Sequence, residues 1–104
     1  MFQVNGNKGF KLTFPNGITL SSQFGFGNYC NNRNYLKLIE SNSGETTSSN
    51  CEVAVLNKDG SLITATMVDD LPDVFNNDDD VIGWVNMHNW LKIFEWCKNH
   101  SKGG

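Results

Sequence analysis

The densest chemistry in the chain lies in GFGNYCNNRN, Gly25 to Asn34. Gly25 and Gly27 let a backbone approach a ligand closely, and exposed N–H groups in such loops bind anions. Arg33 supplies a planar guanidinium that clamps phosphate or carboxylate. Phe26 and Tyr29 offer faces on which a base stacks. Asn28, Asn31, Asn32 and Asn34 carry amides that read polar edges. Lys8, Lys11 and Lys37 add positive potential. This inventory describes a pocket for a nucleotide-type small molecule. The glycine spacing matches neither the dinucleotide fingerprint nor the phosphate loop GxxxxGK[ST]. A structural reading competes with it: Phe26 and Tyr29 cap the core, and the asparagines satisfy turns.

Two other constellations need weighing. Cys30 and His88 are the one nucleophile–base pair worth naming. No third group orients them, so no catalysis is expected, and a small hydrolase is kept only as a third possibility. The second is the acidic set Asp69, Asp70, Asp73, Asp78, Asp79 and Asp80. It lacks the alternating acids, central glycine and terminal Glu of a calcium loop. It is a solvated surface, or an imitation of nucleic-acid phosphates that fits a basic groove on another protein. Cys30, Cys51 and Cys97 form no CxxC pair and have no histidine at ligand spacing, so free thiols are expected, without metal or cofactor.

The elements that must position these residues follow from periodicity. GFKLTF alternates, with Phe10, Leu12 and Phe14 on one face. Asn16-Gly17 turns the chain, and ITLSSQFG follows with Ile18, Leu20, Ser22 and Phe24 on one face. These runs make a first hairpin. YLKLIES, from Tyr35, is a candidate third strand, and Ser41 to Asn50 is an exposed loop. CEVAVLN, with Cys51, Val53 and Val55 on one face, turns at NKDG and pairs with SLITATM as a second hairpin. VDDLPDVFNNDDD is an irregular acidic connection broken by Pro72. VIGWV is a short strand or the approach to a helix. From Met87 to about Asn99 the period is helical, with Met87, Trp90, Leu91, Phe94 and Cys97 in one stripe, Ile93 and Trp96 on its flank, and Asn86 as N-cap. The fold class is therefore α+β: an antiparallel β-sheet of four to five strands, in two hairpins, with one C-terminal α-helix packed on one face. Lys11, Thr13, Thr19, Ser21 and Gln23 lie on the opposite face, which is wet unless a partner covers it.

The 104 residues make a single domain, 1–104, with 99–104 a frayed tail; 38% hydrophobic and 12% aromatic residues suffice for one modest core. The net charge of −3 conceals a basic front, residues 1–39, and an acidic middle, residues 59–91. Such asymmetry marks a partner surface or two solvated ones. No run reaches membrane-spanning length, and MFQVNGNKGF lacks the basic start and apolar run of a signal peptide, so a cytoplasmic location is expected.

The run GNKGFKLTFPNGITLSSQFGFGNYC, Gly6 to Cys30, resembles a pattern in small bacteriophage and mobile-element proteins, of the form GKGF…F-x-NG…S-x-QFG-x-GNYC. The match uses Gly6, Lys8, Gly9, Phe10, Phe14, Asn16, Gly17, Ser21 or Ser22, and Gln23 to Cys30 apart from Phe26. It spans about a quarter of the chain. The resemblance implies a phage-encoded protein in the host bacterial cytoplasm, with counter-defence as its setting. The expected function is sequestration of a nucleotide-type immune signal without catalysis, through Lys8, Lys11, Gly25, Phe26, Gly27, Asn28, Tyr29, Asn32 and Arg33. The alternative is an anti-CRISPR-like inhibitor of a host defence protein acting through the acidic segment 69–80. A second copy of the chain is a further expected partner; a membrane is not.

Overall fold

The computed structural model describes residues 1–4, 6, 8–25, 27–32, 47–72 and 80–100. The strands are β1 (Phe2–Val4), β2 (Gly9–Thr13), β3 (Thr19–Gln23), β4 (Asn50–Leu56) and β5 (Ile82–Asn86); the helices are α1 (Thr64–Asp70) and α2 (Met87–Asn99). The strands form a five-stranded antiparallel sheet in the order β1-β2-β3-β4-β5, and α2 packs on it, so the fold is α+β.

The first hairpin forms where alternation and the Asn-Gly pair place it. Leu12 faces Leu20 and Phe10 faces Ser22 across the β2–β3 ladder. Gly17 takes φ 91°, a left-handed conformation that glycine adopts without steric cost. Asn16 does more than turn the chain. Its Oδ1 accepts from the Ile18 N–H, and its Nδ2 donates to the carbonyls of Cys97 and His100, tying the hairpin to the end of α2.

The second hairpin is different from the expectation. Its return limb, SLITATM, is no strand: only Leu62 bridges Leu56 before the chain coils into α1. Thr64, Met67 and Val68 stand at i, i+3 and i+4 and are all buried, which is a helical period. The Thr64 hydroxyl accepts the Val55 N–H at 2.9 Å, so the β4 backbone group left without a strand partner is satisfied by a side chain. Asp69 and Asp70 thus belong to a helix, which ends before Pro72, a residue that disfavours helical backbone in Leu71. The partners of β4 are β3 and β5. Strand β1 was not anticipated from the sequence. YLKLIES and residues 101–104 lie outside the described residues.

The C-terminal helix has its expected bounds and cap, with the Asn86 side chain accepting from the Asn89 N–H at 2.8 Å. Its facing is corrected. Ile93 and Cys97 are fully buried, Trp90 and Phe94 are partly buried, and Met87 and Leu91 are 68% and 51% exposed. The apolar arc is wider than the covered face, and the sheet takes the Ile93 side of it. The core is Ile18 and Leu20 from the first hairpin, Val53 and Val55 from β4, Met67 and Val68 from α1, Ile82 and Val85 from β5, and Ile93 and Cys97 from α2.

Candidate functional site

The loop after β3 is held by its own asparagines together with Glu52 and the Trp84 N–H, which donates to the Tyr29 carbonyl. Asn28 Oδ1 accepts from the Gly25 N–H, and its Nδ2 donates to Glu52. The Tyr29 N–H donates to the other Glu52 oxygen. Asn31 binds Asn50 Oδ1 through its backbone N–H, at 2.8 Å, and Ser49 Oγ through its side chain, at 2.6 Å. Asn32 Nδ2 bridges two carbonyls, that of Phe24 at 2.7 Å and that of Thr47 at 2.8 Å. Of the amides expected to read a ligand, Asn31 and Asn32 instead hold the segment Thr47–Asn50 against the loop.

That segment is the rim of a cavity of about 340 Å³, the size of a small-molecule pocket. Phe10 and Phe24 from the first hairpin and Trp90 from α2 form its aromatic wall. Phe10 meets both other rings edge to face, each at 6.3 Å between centroids. Cys51, Val85 and Met87 complete the apolar lining, and Thr47, Ser48, Ser49 and Asn50 supply hydroxyls and an amide. No charged side chain lines the cavity among the described residues. Ser22 lies in it at 1% exposure. The Trp90 Nε1–H donates to Ser22 Oγ at 2.7 Å, while among the described residues no acceptor takes the Ser22 proton. The Cys51 thiol is pushed up to about 12 by burial, then by the neighbouring Cys30 and Glu52, so it stands neutral against the cavity. All three cysteines are free thiols.

The structure separates the expected site residues into groups. Lys8 is exposed, and its carbonyl accepts the Phe24 N–H, which continues the β2–β3 register one pair beyond Gly9 and Gln23. The two-residue period therefore puts Lys8 on the face of Phe10, Ser22 and Phe24. Lys11 lies opposite Ser21, on the other face of the sheet, so the two lysines do not join in one patch. Gly25, Gly27, Asn28 and Asn32 shape the loop. Tyr29 sits against Gly83, where an added Cβ would come within 2.7 Å of the Tyr29 Cβ, and stacks on Trp84 at 5.8 Å between ring centroids. Phe26, Arg33, Asn34 and Lys37 lie outside the described residues. Asp69, Asp70 and Asp80 are exposed, and Asp70 accepts from Trp96 Nε1–H at 2.8 Å; Asp73, Asp78 and Asp79 lie outside the described residues.

Cys30 and His88 occupy different places. Cys30 is buried with its thiol toward the Gly25 carbonyl, whereas His88 is exposed beside a wide, open depression of about 720 Å³ on the outer side of α2. Among the described residues no cluster of three or more His, Cys, Asp or Glu gathers to hold a metal, and no helix is long and apolar enough to cross a membrane.

The cavity wall was missed by sequence reasoning because its members come from four distant segments. One signal was present. In the row Ile18, Leu20, Ser22, Phe24, a hydroxyl interrupts a face that is otherwise apolar. No protein-family model, curated protein or solved structure matches the chain.

Proposed function

We propose that this protein binds and sequesters a nucleotide-type small molecule without transforming it, in the counter-defence setting that the Gly6–Cys30 resemblance implies. The observation that carries the reading is the aromatic cavity beside the Thr47–Asn50 segment, with the buried Ser22 hydroxyl in its lining. The loop contributes as a brace: Asn31 and Asn32 hold the polar rim in place. Pre-organisation of that kind lowers the ordering cost of binding. Binding without turnover is part of the proposal; among the described residues no charged side chain lines the cavity.

The test is a thermal-shift screen against signalling nucleotides, with mass spectrometry of ligand released from the denatured complex. A bound nucleotide recovered at its original mass is the expected result. A product mass on release would establish turnover, and an absence of any shift across the panel would remove the nucleotide reading.

A second reading, a protein-binding inhibitor, is supported by a different surface. Trp84 is 55% exposed, stacks on Tyr29, and is held at φ 50°, the one positive φ of a non-glycine residue among those described. Exposed Trp and Tyr are common anchors of protein interfaces. Co-purification of one host protein in stoichiometric amount, lost on Trp84→Ala, would favour it.

A further inference from the structure

Resting on the nucleotide reading above, we infer that the cavity takes one uncharged base, edge-on to Ser22, and leaves its phosphate outside at Lys8. Four observations converge on that orientation. The lining among the described residues carries no charge, so an anionic group gains nothing inside and loses its hydration there. Phe10, Phe24 and Trp90 line the cavity, and aromatic side chains are the usual stacking partners of a base. Ser22 accepts from Trp90 and among the described residues donates to no acceptor, so its proton suits an acceptor on the ligand: a ring nitrogen or a carbonyl oxygen. Ser49 is also constrained, since its oxygen accepts from Asn31 and its proton is left to donate. The pocket therefore selects the acceptor-bearing edge of a base.

The phosphate position follows from strand register. Lys8 is the cross-strand partner of Phe24 on the cavity-bearing face, and it is exposed where the strands leave the pocket. A base stacked beside Phe24 points its sugar and phosphate toward that ammonium group. A volume of about 340 Å³ has room for a base together with its sugar. A free nucleotide and the end of a single strand share this chemistry.

Calorimetric titration decides it, using nucleosides, their monophosphates, inorganic phosphate and a short single strand. The wild-type protein is expected to bind monophosphates about tenfold more tightly than nucleosides, as one charge-assisted contact contributes. Lys8→Ala is expected to close that gap. Met87→Glu, an exposed substitution at the cavity wall, is expected to weaken monophosphates more than nucleosides by like-charge repulsion. Both positions are solvent-exposed, and unchanged melting temperatures verify the fold. If the strand binds more tightly than the free monophosphate, the pocket stands and the source is a nucleic-acid end. If monophosphates bind and neither variant matters, this assignment falls while nucleotide binding survives. If inorganic phosphate binds as well as the monophosphate, the base contributes nothing and the assignment falls too. If no nucleoside or nucleotide binds, both this inference and the reading beneath it are wrong.

Discussion

At the scale of single residues, the asparagines of the loop separate a structural role from a ligand-contacting one. Asn32 donates to two carbonyls at once, those of Phe24 and Thr47. Asn32→Ala removes both bonds and is expected to cost about 1–3 kcal/mol, the usual penalty of two modest hydrogen bonds. Asn32→Asp is expected to be worse than Ala, because a carboxylate would face two carbonyl oxygens with no proton to offer. Urea denaturation of the three proteins checks the order. An Asp variant as stable as wild type would mean that the amide donates to neither carbonyl. The buried thiols allow a second prediction. Burial pushes Cys51 and Cys97 up to about 12 from an ordinary value of 9.0. Between about pH 9 and pH 12 the unfolded chain releases thiol protons that the folded chain retains. Stability from these groups is thus complete below about pH 9 and falls as pH rises through the window. Denaturation midpoints measured across that range should fall less steeply in Cys97→Ala than in the wild type. Equal slopes would show that Cys97 does not stay protonated in the fold.

At the scale of elements, legibility tracked how local the determining forces are. The first hairpin was readable because alternation and Asn16-Gly17 act over a few residues, and the α2 bounds were readable because Asn86 caps its own helix. The limb SLITATM was misread because Thr and Ile favour strands in isolation, while burial of Met67 and Val68 and the Thr64–Val55 hydrogen bond act across the fold. The facing of α2 was ambiguous for a similar reason. A helix with an apolar arc from Met87 round to Trp96 offers several stripes, and the sheet chooses among them. That choice is measurable. Ile93→Ala is expected to cost about 2–5 kcal/mol as a core deletion, and Leu91→Ala within about 0.5 kcal/mol as a surface change. Comparable losses at the two positions would return the helix to the stripe that periodicity alone suggested. The site was the least readable part. Phe10, Ser22, Cys51 and Trp90 meet only through sheet order and helix docking, so no spacing along the chain announces them.

At the scale of the whole molecule, the described charges of the basic front and the acidic middle stand on different elements. The sheet order places β2, with Lys8 beside it, toward one edge, while α1 with Asp69 and Asp70 packs against β4 on the far side of β3. The nucleotide reading uses the Lys8 end of this arrangement, the sequence placed its alternative, a protein-binding inhibitor, at the acidic end, and a charge change there tests that alternative. Asp69, Asp70 and Asp80 changed together to Asn remove three negative charges from exposed positions. Asn at position 70 retains a carbonyl oxygen for the Trp96 Nε1–H, so the α1–α2 contact has an acceptor in the variant. Stability should therefore change little, which a thermal melt verifies first. Binding of an anionic small ligand is expected to stay the same or tighten slightly, since long-range repulsion falls and no contact is lost. Association with a basic protein is expected to slow, with a shallower dependence on ionic strength, because exposed charges act mainly on encounter rate. The decisive measurement is the association rate against salt for any partner captured, beside ligand affinity for the same variant. Unchanged nucleotide affinity with unchanged host-protein association would confine function to the cavity. Lost protein association with intact ligand affinity would assign a role to the acidic edge that is independent of the pocket.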